Sequence, residues 1–279
     1  MKADLHIHTT ASDGRLSPLE IVQLAARLKL DVIAITDHDS IEGIASALAA
    51  APSSLTVIPG VEINTDVSHG EVHILGYFID YTAPELCATL EKMRNSRKER
   101  ALKMIAKLES LDMSIDWEHV WELAQGGSVG RPHIAQALLN KGYITSIKEA
   151  FAKYIGHGAP AYVERDKTTS VEAVRLIASA HGLPVLAHPA DINNLDGLIV
   201  ELKVAGLVGI EVYYNGYNSG IIDELLAVAN DHKLIVTGGS DFHRLECNSE
   251  TVLGGVDIPA EAVEKLFALA GESLELMSS

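Results

Sequence analysis

The stretch DVIAITDHD, residues 31–39, decides the fold class. Its apolar part, Val32–Ile35, is short and rich in β-branched side chains, which predicts a buried strand. A helix precedes this strand, because Ser17 can cap a first turn, Pro18 suits the first helical position and Glu20 completes a capping box. A helix that leads into a buried strand is the repeating unit of α/β proteins.

The same alternation of apolar runs and amphipathic segments continues along the chain. Further strands are predicted at residues 56–58, 72–79, 184–187, 209–213 and 234–237, with helices near 170–181, 194–205 and 220–232. This pattern is typical of βα units around a parallel sheet or barrel.

Residues 84–165 interrupt the alternation. A long charged helix is predicted at about 84–111, followed by a Gly126-Gly127 break and a helix near 133–141, without a convincing buried strand. We therefore predict a barrel domain from residues 1–83 and 166–279 and a helical insertion domain at 84–165.

Composition limits the class of protein. The chain has 279 residues, 47% of them hydrophobic, and no apolar run approaches the roughly 20 residues of a membrane span. The N-terminus lacks the apolar stretch of a signal peptide, which favours a cytoplasmic location without membrane contact. A net charge of −16 argues against a broad basic groove for long nucleic acids, although a phosphorylated substrate remains compatible with it. No obligate protein partner is evident.

Histidine and carboxylate side chains stand at the ends of several predicted strands. His6 and His8 are two residues apart, so both face one side of a strand, and Asp241 and His243 repeat this spacing. Each group alone has an ordinary interpretation as a turn, a polar edge or a core histidine. Burying the whole set without partners would be costly, so we predict a site for more than one metal ion. The polar groups concerned are His6 and His8, Asp13, the tripeptide Asp37-His38-Asp39, Glu62, His73, His188, Asp241 and His243.

Two basic features leave alternatives open. Arg131 and His133, in GRPH at residues 130–133, stand at a predicted helix start, where a guanidinium can bind phosphate, but a surface arginine beside a helix-opening proline fits equally. Residues 92–107 contain seven of the 22 basic residues. A solvated helix face is the usual explanation for such a run, and guidance of a short oligonucleotide is the alternative.

The ordered motifs resemble those of the PHP (polymerase and histidinol phosphatase) superfamily of metal-dependent phosphoesterases. They are DLHIHT at 4–9, TDHD at 36–39, GVEI at 60–63, AHP at 187–189 and SDFH at 240–243. The segments GRPHIA at 130–135 and AYV at 161–163 resemble a bacterial branch that acts on 3',5'-bisphosphate nucleotides and on the 5' ends of short RNA. This resemblance implies an α/β fold, a distorted (β/α)7 barrel with a small helical domain beside its mouth.

The resemblance also implies how the candidate ligands are shared. Two or three divalent ions are expected, Mn²⁺ above all, with Zn²⁺ or Fe²⁺ as alternatives. One ion would bind to His6, His8, Glu62 and Asp241, a second to Glu62, His73 and His188, and a third to Asp13, His38 and His243.

The expected reaction is hydrolysis of a phosphate ester by a hydroxide that bridges two ions. Glu62, Asp241 and His243 are the candidate catalytic residues, with His243 as proton donor to the leaving group, while Arg131 and His133 would bind the substrate. The expected partner is a phosphorylated nucleotide, or a short RNA or DNA end. The alternatives are a phosphatase of histidinol phosphate, an amidohydrolase-like metal hydrolase, and a module that binds metal or nucleic acid without catalysis.

Overall fold

One seven-stranded sheet forms the centre of the computed structural model, which describes residues 1–67, 70–124, 128–164, 168–243 and 251–278. Its strands neighbour one another in chain order. They are β1 (Ala3–Asp4), β2 (Val32–Ile35), β3 (Thr56–Val67), β4 (Gly70–Tyr77), β5 (Leu183–Leu186), β6 (Gly209–Tyr214) and β7 (Ile235–Gly239).

The first and last strands meet, so the sheet is nearly closed into a barrel. The backbone amide of Leu5 donates to the carbonyl of Gly238 at 3.2 Å, and Ile7 forms a parallel bridge with Phe242. Gly239 lies so close to β1 that an added Cβ would stand 2.3 Å from the Cβ of His6. A glycine is therefore required where β7 passes the first histidine, and the predicted barrel is confirmed.

One strand departs from the expected parallel arrangement. β4 is antiparallel to both β3 and β5, whereas the other neighbouring pairs are parallel. The connection between β3 and β4 has only two residues. This length suits a hairpin between antiparallel strands and is too short for the crossover that parallel strands need. The strand expected at 56–58 extends to Val67, which makes Glu62 an interior strand residue rather than one at a strand end.

Helices surround the sheet and form the insertion. They are α1 (Pro18–Arg27), α2 (Ile44–Ala50), α3 (Pro84–Glu109), α4 (Trp117–Leu123), α5 (Arg131–Asn140), α6 (Ile147–Ala150), α7 (Ser170–Ser179), α8 (Leu195–Ala205), α9 (Ser219–Asp231) and α10 (Ala260–Ser278). The predicted capping box of α1 is present, with Ser17 Oγ accepting from the Glu20 amide at 3.3 Å and Glu20 Oε2 accepting from the Ser17 amide at 2.8 Å. None of the described helices is long and apolar enough to cross a membrane.

A separate hydrophobic cluster supports the predicted insertion domain. Leu86 and Leu90, early in α3, pack into the barrel core, whereas Met104 and Leu108, late in α3, pack with α5. One helix thus joins the two cores, and the described residues between 84 and 164 contain no strand. The division into a barrel domain and an insertion domain stays a prediction, and both the Gly126-Gly127 break and residue 165 lie outside the described residues.

Candidate metal centre

The nine predicted ligand residues lie together at one end of the barrel. β1 leads to His6 and His8 and to the turn that carries Asp13, and β2 leads to His38. The strands β3, β4, β5 and β7 carry or precede the remaining side chains. Three groups of nitrogen and oxygen atoms each fall within 4.8 Å of one another. They are His6, His8, Glu62 and Asp241; His8, Asp13, His38 and His243; and His38, Glu62 and His73.

Glu62 occupies the middle of this arrangement and is 1% exposed. Its Oε2 atom lies 3.2, 3.2 and 2.9 Å from ring nitrogens of His6, His8 and His38. Its Oε1 atom lies 2.8 and 3.3 Å from ring nitrogens of His73 and His188. A carboxylate with imidazoles on both of its oxygens has the geometry expected of a bridging ligand.

Two aspartates complete the cluster. Asp241 Oδ1 lies 3.0 Å from His8 Nε2 and 3.4 Å from His6 Nε2. Asp13 Oδ1 lies 3.2 Å from His243 Nε2, and Asp13 Oδ2 lies 4.0 Å from His38 Nε2. Proximity adds His8 to the third predicted ligand set, and in the second it places His38 with Glu62 and His73 but leaves out His188. The sharing of ligands among ions therefore stays a prediction.

The donor atoms fit divalent metal ions. Several buried atoms of the cluster have no hydrogen bond of acceptable geometry within the described residues. They are His6 Nε2, both ring nitrogens of His8, Asp13 Oδ1, Glu62 Oε2 and Asp241 Oδ1. Buried polar atoms without partners are costly and rare, and here their lone pairs converge on shared points. Imidazole and carboxylate donors suit Mn²⁺, Fe²⁺ and Zn²⁺ without distinguishing them.

The carboxylates and imidazoles of the cluster shift one another's pKa values. Burial favours a raised pKa for Glu62, but His38, His6 and His73 outweigh it and hold the pKa well below its usual value. Burial favours a lowered pKa for His243, yet Asp13 and Asp241 raise that pKa to about 10. Metal binding must therefore displace protons from the imidazoles, so it is favoured as pH rises.

Glu211 is a buried site residue that the motifs do not predict. Its Oε1 accepts a hydrogen bond from His6 Nδ1 at 3.0 Å, and its Oε2 accepts from the backbone amide of His188 at 2.9 Å. This contact favours the His6 tautomer with the proton on Nδ1, which leaves the Nε2 lone pair available for a metal ion beside Glu62. The sequence offered one sign of this role, since Glu211 is the single carboxylate in the otherwise apolar strand β6.

We expect Glu211→Gln to weaken metal binding about 10- to 100-fold, because an amide can rotate its donor group toward His6 and no longer favours the required tautomer. Competition with a metal chelator followed by metal analysis measures this affinity. Glu201→Gln, an exposed change on α8, serves as the matched control. Wild-type affinity in the Glu211 variant would contradict the orienting role.

Strained backbone accompanies the cluster. His188 has a φ of 27°, Asp39 of 48° and Asp241 of 54°, all in the left-handed region that side chains with a Cβ seldom adopt. Such strain persists only where surrounding contacts impose it, as the 2.8 Å hydrogen bond from Tyr214 OH to Asp241 Oδ2 does here.

A second missed contact ties α3 to the cluster. Arg97 Nε donates to Asp39 Oδ2 at 2.7 Å, and Asp39 Oδ1 accepts from the Asn64 backbone amide at 3.0 Å. The side-chain amide nitrogen of Asn64 then lies 3.0 Å from His38 Nδ1. The insertion helix thus supports the position of His38 through two intermediate residues.

The two predicted substrate-binding residues lie at the start of α5. Arg131 Nη2 donates to both carboxylate oxygens of Glu71 at 2.8 Å, and its guanidinium carbon lies 5.5 Å from the Phe151 ring centre. His133 is buried, and its Nδ1 accepts from the Gly130 amide at 2.9 Å, which closes the first turn of α5. Contact of either residue with substrate stays a prediction.

Comparison with known proteins agrees with this geometry. The family model "PHP domain" matches residues 4–183. A 5'-3' exoribonuclease of Escherichia coli is 36% identical over 86% of this chain and 85% of that protein. A 3',5'-nucleoside bisphosphate phosphatase of Chromobacterium violaceum is 34% identical over 86% of each.

A solved structure from Bifidobacterium adolescentis, assigned as a metal-dependent phosphoesterase, superposes with a TM-score of 0.86. It is 29% identical and covers 95% of both chains. Its fold therefore matches over nearly the whole barrel and insertion. Together with the convergent histidines and carboxylates, these relationships establish that the chain belongs to the PHP domain family and is a metal-dependent phosphoesterase.

Proposed function

We propose that the enzyme removes the 3'-phosphate of 3',5'-bisphosphate nucleotides and cleaves the first internucleotide bond at the 5' end of short RNA. The buried, partnerless donor atoms that surround Glu62 carry the proposal of metal-dependent hydrolysis. The names of two relatives more than 30% identical over most of their length support the two substrates. Mn²⁺ as the ion and the cytoplasm as the location remain predictions from the sequence.

The two reactions can share one centre because they break the same bond. In both substrates the phosphorus is attached to a ribose 3' oxygen, and release of a 5'-nucleotide requires cleavage at that oxygen. In a bisphosphate, the other three oxygens on the 3' phosphorus are terminal. In RNA, one of those three oxygens is also bonded to the next nucleoside. The chemistry at phosphorus is therefore common, and the substrates differ in what must fit beyond it.

When bound, divalent ions supply positive charge to the phosphate oxygens and lower the pKa of an attacking water. Glu62, Asp241 and the surrounding imidazoles would hold the ions, and Glu211 keeps His6 in the orientation that this requires. Attack by water forms one bond to phosphorus and breaks the bond to the 3' oxygen, which takes up a proton.

His243 is the proposed proton donor. At 27% side-chain exposure it is more accessible than His6 or His8, which are fully buried, so it is better placed to reach a leaving group. It can serve as the acid where its own ligand group, with Asp13, holds no ion. Arg131 would bind the 5'-phosphate, for which it must exchange or share its present partner Glu71.

The experiment compares adenosine 3',5'-bisphosphate, AMP, a short 5'-phosphorylated RNA and histidinol phosphate with added Mn²⁺. We expect kcat/KM on the bisphosphate to exceed that on AMP by at least about tenfold, because AMP offers no ester at the 3' position and uses its single phosphate for both binding and reaction. Faster turnover of histidinol phosphate, or equal rates on the bisphosphate and AMP, would argue for the alternative phosphatase.

A further inference from the structure

Strand β6 has an irregular register with β7 close to the metal centre. Its partners on β7 are Thr237 for Glu211, Gly238 for Tyr213 and Gly239 for Tyr214. Val212 therefore stands as an extra residue between two successive pairs, which is the arrangement of a β-bulge. Bulges are over-represented next to active sites, where they redirect a side chain.

The bulge changes which side chains of β6 point into the barrel. In a regular strand, residues three positions apart face opposite sides, so Glu211 and Tyr214 would diverge. Both nevertheless reach the metal centre. Glu211 Oε1 lies 3.0 Å from His6 Nδ1, and the hydroxyl of Tyr214 donates to Asp241 Oδ2 at 2.8 Å. The extra residue thus lets one strand contact two members of the cluster.

Tyr213 faces the other side of the sheet. An added Cβ on Gly239 would lie 2.3 Å from the Cβ of His6, whereas one on the adjacent Gly238 would lie 2.5 Å from the Cβ of Tyr213. Because Cβ atoms alternate along β7, Tyr213 lies on the side away from His6. Its hydroxyl has no hydrogen bond to a described residue. Two adjacent tyrosines therefore differ in whether they contact the cluster.

The two carboxylate oxygens of Asp241 have different surroundings. Oδ1 lies 3.0, 3.4 and 3.5 Å from ring nitrogens of His8, His6 and His243, and it has no hydrogen bond of acceptable geometry within the described residues. Oδ2 accepts the hydrogen bond from Tyr214. A phenol stays protonated at neutral pH, so the hydroxyl is a lasting donor. One oxygen is anchored, and the other is left available for an ion.

Asp241 depends on such an anchor more than Glu62 does. The side chain of Asp241 is 21% exposed, against 1% for Glu62, so packing restricts it less. Its φ of 54° lies in the left-handed region, which persists only where surrounding contacts impose it. Loss of the hydrogen bond from Tyr214 would let Oδ1 leave the position in which it faces the imidazoles.

We propose that Tyr214 is a positioning residue of the metal centre, whose hydroxyl orients Asp241 so that Oδ1 binds an ion, and that the bulge at Val212 brings this hydroxyl to the site. The inference rests on the proposed function, in which Asp241 holds an ion, and adds to it a residue outside the ligand set. Removing a hydrogen-bond partner of a metal ligand typically costs about 10- to 100-fold in metal affinity or activity.

The test compares Tyr214→Phe with Tyr213→Phe, the same substitution on the opposite face of the strand. Phenylalanine keeps the ring, which lies 5.4 Å from the His188 ring, and removes only the hydroxyl. Competition with a chelator in the absence of substrate measures Mn²⁺ affinity, and circular dichroism checks that the metal-free variants are folded. We expect Tyr214→Phe to bind Mn²⁺ about 10- to 100-fold more weakly, and Tyr213→Phe to bind it as the wild type does.

A third variant tests whether Tyr214 acts through Asp241. In an Asp241→Ala background, Tyr214→Phe should cause no further loss of Mn²⁺ affinity, because the group that it positions is gone. An equal loss in both backgrounds would overturn the inference. Wild-type affinity in Tyr214→Phe, or the same loss in Tyr213→Phe, would also overturn it.

Failure of the proposed function would give a different result. Wild-type Mn²⁺ affinity in Asp241→Ala alone would contradict the proposed ligand role of Asp241, and the inference would fail with it. If Asp241→Ala loses metal and Tyr214→Phe does not, only the inference fails. The preferred phosphate ester does not affect these outcomes, because no substrate is present.

Discussion

Glu62→Gln is expected to lose bound metal and at least about a thousandfold in turnover while the protein stays folded. The carboxylate is buried, and ring nitrogens of five histidines lie within 3.3 Å of its two oxygens. An amide keeps the shape but removes the negative charge and turns an N–H₂ group toward some of those nitrogens. Ions on both sides of Glu62 would lose a ligand together, so the loss should exceed that from any single imidazole.

Metal analysis, thermal melting and steady-state kinetics on the same preparations measure this effect. Glu201→Gln on α8 is the control for the change of residue type at an exposed position. Added metal should raise the melting temperature of the wild type and have little effect on the Glu62 variant, because only a site that binds the ion gains stability from it. Full metal content with near-normal rates in Glu62→Gln would remove Glu62 from the centre.

Arg131→Ala is expected to lower kcat/KM on a 3',5'-bisphosphate about 10- to 150-fold with unchanged metal content. A charge-assisted hydrogen bond contributes about 1.5–3 kcal/mol, and arginine carries only donors, so it contacts phosphate rather than metal. If the guanidinium holds a non-reacting phosphate equally in ground and transition states, most of the loss appears in KM. The present pairing of Arg131 with Glu71 competes with the substrate, which favours the lower part of this range.

Comparing substrates with and without a 5'-phosphate tests whether Arg131 contacts that phosphate. The loss should shrink on adenosine 3'-monophosphate, which lacks the 5'-phosphate, since neither enzyme can then form the contact. Arg131→Lys should recover part of the activity because it keeps the charge without the bidentate geometry. Arg27→Ala on α1 controls for loss of an exposed arginine. An unchanged kcat/KM on the bisphosphate would return Arg131 to the role of a surface residue paired with Glu71.

Local patterns in the sequence predicted βα units around a sheet or barrel with polar groups at strand ends, and the resemblance to a family supplied the type of barrel and the individual ligands. The capping box of Ser17 and Glu20 depends on residues three apart, and the structure contains it. The two-residue spacing of His6 and His8 follows from the strand period, which brings both imidazoles to Glu62. Carboxyl ends of parallel strands meet at one end of a barrel, so polar residues after several strands could be expected together.

Tertiary structure alone decided the features that depend on distant residues. The antiparallel direction of β4 follows from a hairpin whose length the apolar pattern did not reveal, since strands of either direction share a period of two. Glu211 meets His6 from 205 positions away, and Arg97 meets Asp39 from 58. Side-chain pairs of this kind depend on how the barrel closes and where α3 packs, because short-range propensity specifies elements but not the contacts between them. The sequence by itself therefore determined which side chains are available for the metal chemistry. Barrel closure and the packing of α3 decided which of them touch.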